Sequence, residues 1–279
     1  MTRFISFQFQ GQDCYGIVVG DKAFPVSKGF LGRYPTLLSA IAGRVTEQLE
    51  LGSSIGLSDV QILTPIPDPK KIICVGLNYA KKYPVEGQAY SLPTEPVIFA
   101  RFKDTLVAHE ECLQLPKMSP ASESFDYEGE IVAVIGDTAW QVSEAQALSH
   151  IFGYSIMNEG SVREYQKHSV HAGKNFYRSG SWGPWITSVN DAKKIEKMDV
   201  ETWVNGELRQ QATGNQMIFS LGKIISYLSH LYPLNAGDII ATGSPEGSGG
   251  TFNPPKFLCP GDTVCVKVTS LGMLINKVN

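Results

Sequence analysis

The chain has 279 residues, of which 43% are hydrophobic and 18% charged, and its formal net charge is -3 at pH 7. This composition is that of an ordinary globular protein, and the length suits one large domain or a small and a large one. It excludes a basic surface for nucleic acid or an anionic membrane, and no uncharged apolar segment is long enough to cross a bilayer. The five cysteines are scattered and lack the paired spacing of a zinc site, so we expect reduced core thiols in a cytoplasmic protein.

Residues 1–68 are predicted to form a small N-terminal α+β domain. Alternating apolar residues in 4–9 and 15–19 predict two strands of a meander, and apolar residues spaced along 36–41 predict a helix. Three prolines in residues 64–69 can neither continue a helix nor sit in a central strand. We therefore place a domain boundary there and assign residues 69–279 to a larger domain.

The larger unit is rich in predicted strands. Residues 71–75 and 96–100 are typical of buried strands, and the polar segment between them is long enough to be a mobile lid. Capping-box patterns at Ser143 and Ser161 predict two short helices, and residues 217–231 predict an amphipathic helix. Asn205-Gly206 favours a type I′ hairpin turn. Because strands dominate without a βαβ rhythm, we predict an α+β fold with a mostly antiparallel or mixed sheet.

Carboxylates stand at the head of one apolar strand, in the sequence Asp-Tyr-Glu-Gly-Glu-Ile-Val-Ala-Val-Ile-Gly of residues 126–136. Alternate residues of a strand share a face, so Asp126, Glu128 and Glu130 are expected to project together. Carboxylates entering so apolar a sheet need a positive partner, and Mg²⁺ or Ca²⁺ is the simplest candidate. The alternative is a solvated edge strand whose acidic residues face water.

A third acid, Glu159, follows the apolar residues 151–157 and precedes the predicted helix at Ser161. Its carboxylate can join Glu128 and Glu130 if the two strands are neighbours. Three carboxylates would leave coordination positions for water and a chelating substrate, as Mg²⁺ sites usually do. The alternative is that Glu159 only stabilises the N-terminus of the helix.

Several polar residues near Glu159 suit an anionic substrate. Arg163 and Gln166 are three residues apart and so share a helix face, and with Lys174 they could bind a substrate carboxylate or a developing enolate. The alternative is a surface ion pair between Arg163 and a neighbouring glutamate. The segment that begins at Thr242 could present hydroxyls and backbone amides to an anion, although it lacks the ending of a P-loop.

The order of short motifs from residue 71 to the C-terminus resembles the fumarylacetoacetate hydrolase superfamily over about three quarters of the chain. The matching segments are, in order, Val75-Gly76-Leu77-Asn78-Tyr79, residues 126–130, residues 153–166, Gly173-Lys174, Gly183-Pro184-Trp185, Asn205-Gly206-Glu207 and residues 237–245. Each segment is a weak signal alone, but seven in the family's order are specific.

The resemblance implies a β-rich mixed-sheet fold with a small N-terminal domain, a homodimer, and Mg²⁺ or Mn²⁺ held by three acids. Members act on small 2-oxo and β-dicarbonyl acids, some in aromatic catabolism. They cleave C–C bonds, decarboxylate oxaloacetate, or shift enol and keto forms of dienoic dioates. Carried over by position, the metal ligands are Glu128, Glu130 and Glu159, and the substrate-contacting residues are Arg163, Gln166 and Lys174, to which we add Thr242 and Tyr79 from the matched segments.

The sequence departs from the family pattern at two places. The third metal ligand is usually aspartate, whereas this chain has Glu159, whose extra methylene can still reach a metal. The lid usually carries a histidine paired with a glutamate; here Glu86 supplies the glutamate but Lys82 stands in the histidine's place. A lysine at its ordinary pKa is a poor base at neutral pH, although burial can lower that pKa. We assign Lys82, Glu86 and Lys174 as the predicted catalytic residues.

These residues predict a Mg²⁺-dependent enzyme acting on a small 2-oxo or dicarboxylic acid. A metal that chelates such an acid stabilises an enolate, which serves tautomerisation or decarboxylation, whereas C–C hydrolysis also needs an activated water. We rank a C–C bond hydrolase of the fumarylacetoacetate or acylpyruvate type first, with an isomerase or enol–keto tautomerase nearly level and an oxaloacetate decarboxylase third. A catalytically inactive binding protein is the remaining alternative, although a drifted site need not keep all these charged residues.

Overall fold

The structure is a computed structural model that describes residues 1–80, 92–190, 192 and 194–279. Strands dominate these residues: β1 Arg3–Phe9, β2 Gln12–Val19, β3 Lys22–Pro25, β4 Ile55–Gly56, β5 Gln61–Ile62, β6 Ile72–Gly76, β7 Val97–Ala100, β8 Leu106–Val107, β9 Phe125–Asp126, β10 Gly129–Ile135, β11 Ile151–Asn158, β12 Ser161–Val162, β13 Gly180–Ser188, β14 Asp199–Val204, β15 Glu207–Thr213, β16 Ile239–Ala241, β17 Thr263–Val268 and β18 Gly272–Lys277. The α-helices are α1 Lys28–Arg33, α2 Leu37–Ala42, α3 Glu144–Ala147, α4 Arg163–Gln166, α5 Val170–Lys174 and α6 Leu221–Leu231. Short 3₁₀ turns lie at Thr46–Gln48, Leu57–Asp59, Lys103–Thr105, Leu148–His150, Ile195–Lys197, Gly214–Gln216 and Gly249–Thr251.

The strands form one large sheet and two smaller ones. The large sheet has the order β4-β3-β2-β1-β13-β11-β10-β16-β6-β7, with β5 added at β1 and β8 at β13. Strand β16 is parallel to β6, and β8 is parallel to β13, whereas the other pairs are antiparallel. The predicted β-rich α+β fold with a mixed sheet is therefore confirmed. Strand β1 pairs with β13, so the N-terminal strands extend this sheet, and the boundary at residue 68 stays a prediction.

Strand β10 lies at the centre of the core, and its side chains are buried on both faces. Ile131, Ala133 and Ile135 belong to a core shared with α6 and the four-stranded sheet β15-β14-β17-β18. Val132 and Val134 belong to the opposite core, shared with β6, β16 and α2. A strand buried on both sides needs a continuous apolar run, and each large side chain so buried contributes about 1.5–3 kcal/mol. This explains why residues 131–135 are all apolar.

Three local predictions are confirmed. Helix α2 follows Thr36, and helix α3 follows Ser143; in both, the cap residue forms a reciprocal capping box with the residue three positions later. Asn205 and Gly206 have φ values of 50° and 80°, which are those of a type I′ turn between β14 and β15.

Two local predictions are wrong. Ser161 does not cap a helix, because it lies in β12, paired with β9, and its hydroxyl donates to the Glu159 carbonyl. The amphipathic helix begins at Leu221 rather than at 217, since Ser220 accepts a hydrogen bond from the Lys223 amide and caps it there. Among the described residues, no helix has the length and apolar character that a membrane span requires.

Candidate metal centre

Backbone pairing brings the three predicted metal ligands together. Strands β10 and β11 are antiparallel neighbours, with Gly129 opposite Asn158. Just beyond that pair, the Glu159 amide donates to the Glu128 carbonyl at 2.7 Å, and the Glu128 amide donates to Asn158 Oδ1 at 3.0 Å. As a result, one carboxylate oxygen each of Glu128, Glu130 and Glu159 lies within 4.8 Å of the others. Glu130 and Glu159 are buried, and only 12% of the Glu128 side chain is exposed.

Two basic residues compensate two of these glutamates. Lys174, at the end of α5, contacts Glu128, and its Nζ lies 2.7 Å from Glu159 Oε2. Arg163, at the start of α4, places Nη2 2.6 Å from Glu128 Oε1. Burial alone would raise the pKa of Glu128, but Arg163 and Lys174 outweigh it and hold that pKa at about 2. Glu128 is therefore a carboxylate anion throughout the neutral range.

Glu130 lacks such compensation. Its Oε2 accepts the Gly243 amide at 2.8 Å, and no basic side chain of the described residues forms an ion pair with it. Burial, followed by the nearby Glu159 and Glu128 carboxylates, raises the pKa of Glu130 well above its ordinary value. A buried carboxylate beside two others needs either a proton or a cation.

The donor set fits a hard divalent cation. Glu159 Oε1 is buried, and no nitrogen or oxygen donor of the described residues hydrogen-bonds to it. The three glutamates carry three formal negative charges, and Arg163 and Lys174 are the basic residues of the described chain that form ion pairs with them. Carboxylate oxygens with room left for water or substrate are the ligands that Mg²⁺ and Mn²⁺ prefer.

The other predicted site residues are placed as follows. Gln166 Oε1 accepts a hydrogen bond from Arg163 Nη1 at 2.9 Å. The Thr242 hydroxyl is buried and donates to the Ile131 carbonyl at 2.9 Å, so it is committed to the sheet. The Tyr79 hydroxyl is buried without a hydrogen-bond partner among the described residues, and burial, with a smaller contribution from Glu130, raises its pKa. Lys82 and Glu86 lie outside the described residues. The substrate roles assigned to these side chains stay predictions.

The expectation that Asp126 projects with Glu128 and Glu130 is wrong. The strand is interrupted at residues 127–128, and Asp126 instead belongs to β9, which pairs with β12. Its carboxylate binds Arg163 Nε at 2.7 Å and is not part of the cluster of three glutamates. The alternation rule holds only while the strand is continuous.

Asn78 supports the site in a way that sequence reasoning missed. It is fully buried, its Nδ2 donates to the Thr242 carbonyl at 2.7 Å, and its Oδ1 accepts the Phe219 amide at 2.8 Å. It thereby fixes the segment whose next amide, that of Gly243, binds Glu130. The only signal was its place in the matched Val75–Tyr79 motif, which gives no bonding partner.

The fold and the cluster define a β-rich protein with a buried carboxylate site able to hold a divalent cation. A family model described as Fumarylacetoacetate (FAA) hydrolase C-terminal matches residues 71–279. The chain belongs to the fumarylacetoacetate hydrolase family, as the motif order predicted, and it is an enzyme of that superfamily.

Two curated relatives carry the same activity in their names. The chain is 38% identical over 233 residues to oxaloacetate tautomerase YisK of Bacillus subtilis, a match covering 82% of this chain and 77% of the relative. It is 33% identical over 252 residues to the mitochondrial oxaloacetate tautomerase Fahd2a of Rattus norvegicus, covering 89% of this chain and 78% of that one. The solved fumarylacetoacetate hydrolase of Exiguobacterium antarcticum is 30% identical, with a TM-score of 0.85, and the match covers 100% of this chain and 99% of that chain.

Proposed function

We propose that this enzyme is a divalent-cation-dependent enol–keto tautomerase of a small 2-oxo dicarboxylic acid of the oxaloacetate type. The observation that carries the proposal is the cluster of three carboxylates with the Lys174 ammonium in contact with two of them. The 38% identity to a protein named oxaloacetate tautomerase supports the same reaction. The proposal places tautomerisation before C–C hydrolysis, whereas the sequence predicted a C–C hydrolase first.

The three glutamates would hold Mg²⁺ or Mn²⁺. When bound there, the cation would supply Lewis-acid polarisation of the 2-oxo group, which acidifies the neighbouring C–H. Lys174 brings N–H donors and a positive charge to the same place, where they can stabilise an enolate oxygen. In tautomerisation a proton leaves the enol oxygen and a proton is added to the adjacent carbon, so no bond between heavy atoms is broken.

Lys174 acts in this scheme as a donor and not as a base. Burial disfavours its charged form, but Glu128 and Glu159 outweigh burial and raise the pKa of Lys174. An ammonium held in this way keeps its proton at neutral pH. The observed ion pairs with Glu128 and Glu159 fix its position without any help from substrate.

The histidines favour tautomerisation over hydrolysis. Hydrolysis of a C–C bond needs a base that activates water, and histidine is the usual choice. The chain has five histidines, all in described segments. Their recorded contacts do not include Glu128, Glu130 or Glu159: His109 contacts Ile275, His150 contacts Asp137, His168 contacts Tyr165, His171 contacts Asn175 and His230 contacts Ser226.

A C–C hydrolase is the second candidate. The similarity to a solved fumarylacetoacetate hydrolase, at 30% identity over the whole chain, favours it. A carboxylate could also serve as the base for water, which would remove the need for a histidine.

One experiment separates the candidates. Purified protein is freed of metal with EDTA, reconstituted with Mg²⁺ or Mn²⁺, and mixed with enol-oxaloacetate while ultraviolet absorbance is followed and products are assayed by NMR. We expect metal-dependent loss of the enol band with keto-oxaloacetate as the product. Pyruvate formed from oxaloacetate would indicate decarboxylation, and cleavage of acylpyruvates would indicate hydrolysis. If Mg²⁺ and Mn²⁺ leave the enol decay unchanged, the proposal is wrong.

We further propose that the enzyme is a homodimer, as the resemblance implies. Phe102 and Val170 are large apolar side chains that are exposed, and the Phe102 ring contacts His171, the residue that follows Val170. Such a patch suits a partner surface. Light scattering coupled to size exclusion should give twice the chain mass of 30.5 kDa, and a value of 30.5 kDa would contradict the dimer.

A further inference from the structure

Asp126 is a fully buried carboxylate whose oxygens are saturated by four donors. Oδ1 accepts the Tyr127 amide at 2.8 Å and the Gly249 amide at 2.6 Å. Oδ2 accepts the Gly250 amide at 2.9 Å and Arg163 Nε at 2.7 Å. This carboxylate therefore joins the segment before the metal cluster, the 3₁₀ turn Gly249–Thr251 and the arginine of α4.

Arg163 donates hydrogen bonds to two acceptors and forms an ion pair with a third group. Nε binds Asp126, Nη1 binds Gln166 Oε1 at 2.9 Å, and Nη2 lies 2.6 Å from Glu128 Oε1. A planar guanidinium held by hydrogen bonds at Nε and Nη1 has a set orientation, which a lysine cannot reproduce, and this orientation places Nη2 beside Glu128. The position of the Glu128 carboxylate is thus tied to Asp126 through one rigid group.

The close approach of the 3₁₀ turn to Asp126 requires a glycine at position 249. A Cβ atom on Gly249 would overlap the Lys256 carbonyl and would lie 2.8 Å from Asp126 Oδ1. A Cβ atom on Gly250 would lie 3.4 Å from Asp126 Oδ2. A side chain at position 249 would push its amide away from the carboxylate, whereas position 250 would make only an ordinary contact, so Gly249 belongs to the same arrangement.

We propose that Asp126 is a positioning residue of the metal centre: it orients Arg163, and Arg163 holds Glu128 in place as a ligand. The proposal rests on the proposed metal site formed by Glu128, Glu130 and Glu159. The four hydrogen bonds of Asp126 go to none of the three glutamates in the described structure, and Asp126 does not need to touch metal or substrate. Partners that orient a ligand typically change metal affinity about 10–100-fold when they are removed.

The test is Mn²⁺ binding to metal-free protein, followed by the electron paramagnetic resonance signal of free Mn²⁺. In Asp126→Asn the amide places N–H groups against donors that need an acceptor, so we expect the Kd for Mn²⁺ to rise about 10–100-fold. Arg163→Lys keeps the charge but cannot hold both acids, and it should weaken binding similarly. If Asp126 acts through Arg163, the double variant should bind no more weakly than the weaker single variant.

The matched control is Asp238→Asn. Asp238 is also fully buried, and its Oδ2 accepts Lys71 Nζ at 2.8 Å and the Asn235 amide at 2.7 Å, away from the metal cluster. We expect this variant to lose thermal stability but to keep the wild-type Kd for Mn²⁺. A merely structural role for Asp126 would make the two aspartate variants alike in Mn²⁺ affinity.

The outcomes are distinguishable. The positioning role would be overturned if Asp126→Asn binds Mn²⁺ with wild-type affinity, or if the losses of Mn²⁺ affinity in the two single variants add up in the double variant. Either result would leave the proposed function intact. Wild-type protein that binds no Mn²⁺ would overturn both, whereas binding without turnover of enol-oxaloacetate would overturn the proposed reaction alone. If Asp126→Asn does not fold, Arg163→Lys compared with Asp238→Asn decides, because normal Mn²⁺ affinity in Arg163→Lys also refutes the role.

Discussion

Replacing Glu130 by glutamine keeps the shape of the side chain and removes the one carboxylate of the cluster that forms no ion pair within the described structure. The Gly243 amide can still donate to the remaining Oε1. Glu128 and Glu159 keep Lys174 and, for Glu128, Arg163. The substitution therefore tests the metal site with little disturbance of its surroundings.

In metal-free protein the substitution should be stabilising at neutral pH. Burial, together with Glu159 and Glu128, raises the folded-state pKa of Glu130 well above its ordinary value. Between those two pKa values the folded protein holds a proton that the unfolded chain has released, so stability falls as pH rises, by about 1.4 kcal/mol per pH unit. Below the ordinary pKa of glutamate this loss is absent. Glu130→Gln cannot release that proton and should lack this part of the pH dependence.

With metal present, wild-type protein should be more stable than Glu130→Gln. A cation at about 100 times its Kd stabilises the folded state by about 2.7 kcal/mol, which corresponds to a rise in Tm of roughly 5–10 °C for a chain of this size. Wild-type protein should show this rise with Mg²⁺, and Glu130→Gln should show almost none.

The assay is thermal unfolding followed by circular dichroism from pH 5 to 8, with EDTA or with Mg²⁺. The control is Glu164→Gln, a glutamate on α4 that is partly exposed and paired with Lys167, which should behave as wild type in both conditions. The same Mg²⁺-induced rise in Glu130→Gln as in wild type would refute the metal assignment. Equal pH dependence of the two metal-free proteins would refute the assigned pKa shift.

Three further substitutions probe separate parts of the structure. Lys174→Met removes the ammonium from between two carboxylates, so turnover should fall about 100-fold or more. The affinity for Mn²⁺ should not weaken, because the substitution removes a positive charge that repels the cation. Weaker Mn²⁺ binding would contradict this. Asn78→Ala leaves a buried carbonyl and a buried amide unpaired and should cost about 2–4 kcal/mol in urea unfolding, so a loss below about 1 kcal/mol would show that these bonds matter little. Gly160→Ala would drive its Cβ into the Ser179 carbonyl and should unfold the site or the protein. In Gly32→Ala the Cβ meets open space, and stability should rise by up to about 1 kcal/mol. Similar Tm values for the two variants would contradict the close packing of Gly160 against Ser179.

The sequence predicted those features that depend on neighbouring residues. The helix at 36–41 follows from the spacing of its apolar residues, Ser143 caps its helix through a residue three positions away, and the Asn205-Gly206 turn needs only its own backbone angles. Glu128 and Glu130 come together as their spacing predicted, although Glu128 lies in the break before β10. The position of Glu159 required one further assumption, that its strand is the neighbour of β10, and the pairing of β10 with β11 meets it.

Features that depend on distant partners were not predictable. Ser161 and the residues after it have the pattern of a helix start, but Ser161 pairs with Asp126 in a two-stranded sheet, and this contact overrides the local preference. The chain at the start of β10 bonds to a residue far along the sequence, since the Gly129 amide donates to Gln210 Oε1 at 2.9 Å. No periodicity within residues 126–136 could reveal that bond, and so none could place Asp126 correctly.

The break at residues 127–128 gives two chemical roles to acids that look alike in the sequence. Asp126 is neutralised by Arg163 and by backbone amides, so it has no spare capacity for a metal. Glu128 forms ion pairs with both Arg163 and Lys174, whereas Glu130 accepts one hydrogen bond, from the Gly243 amide. Glu130, at the point where the chain enters the apolar core, is therefore the carboxylate whose negative charge most requires a bound cation. This unequal compensation is why removal of the Glu130 charge should abolish metal binding, while removal of the Asp126 charge should only weaken it.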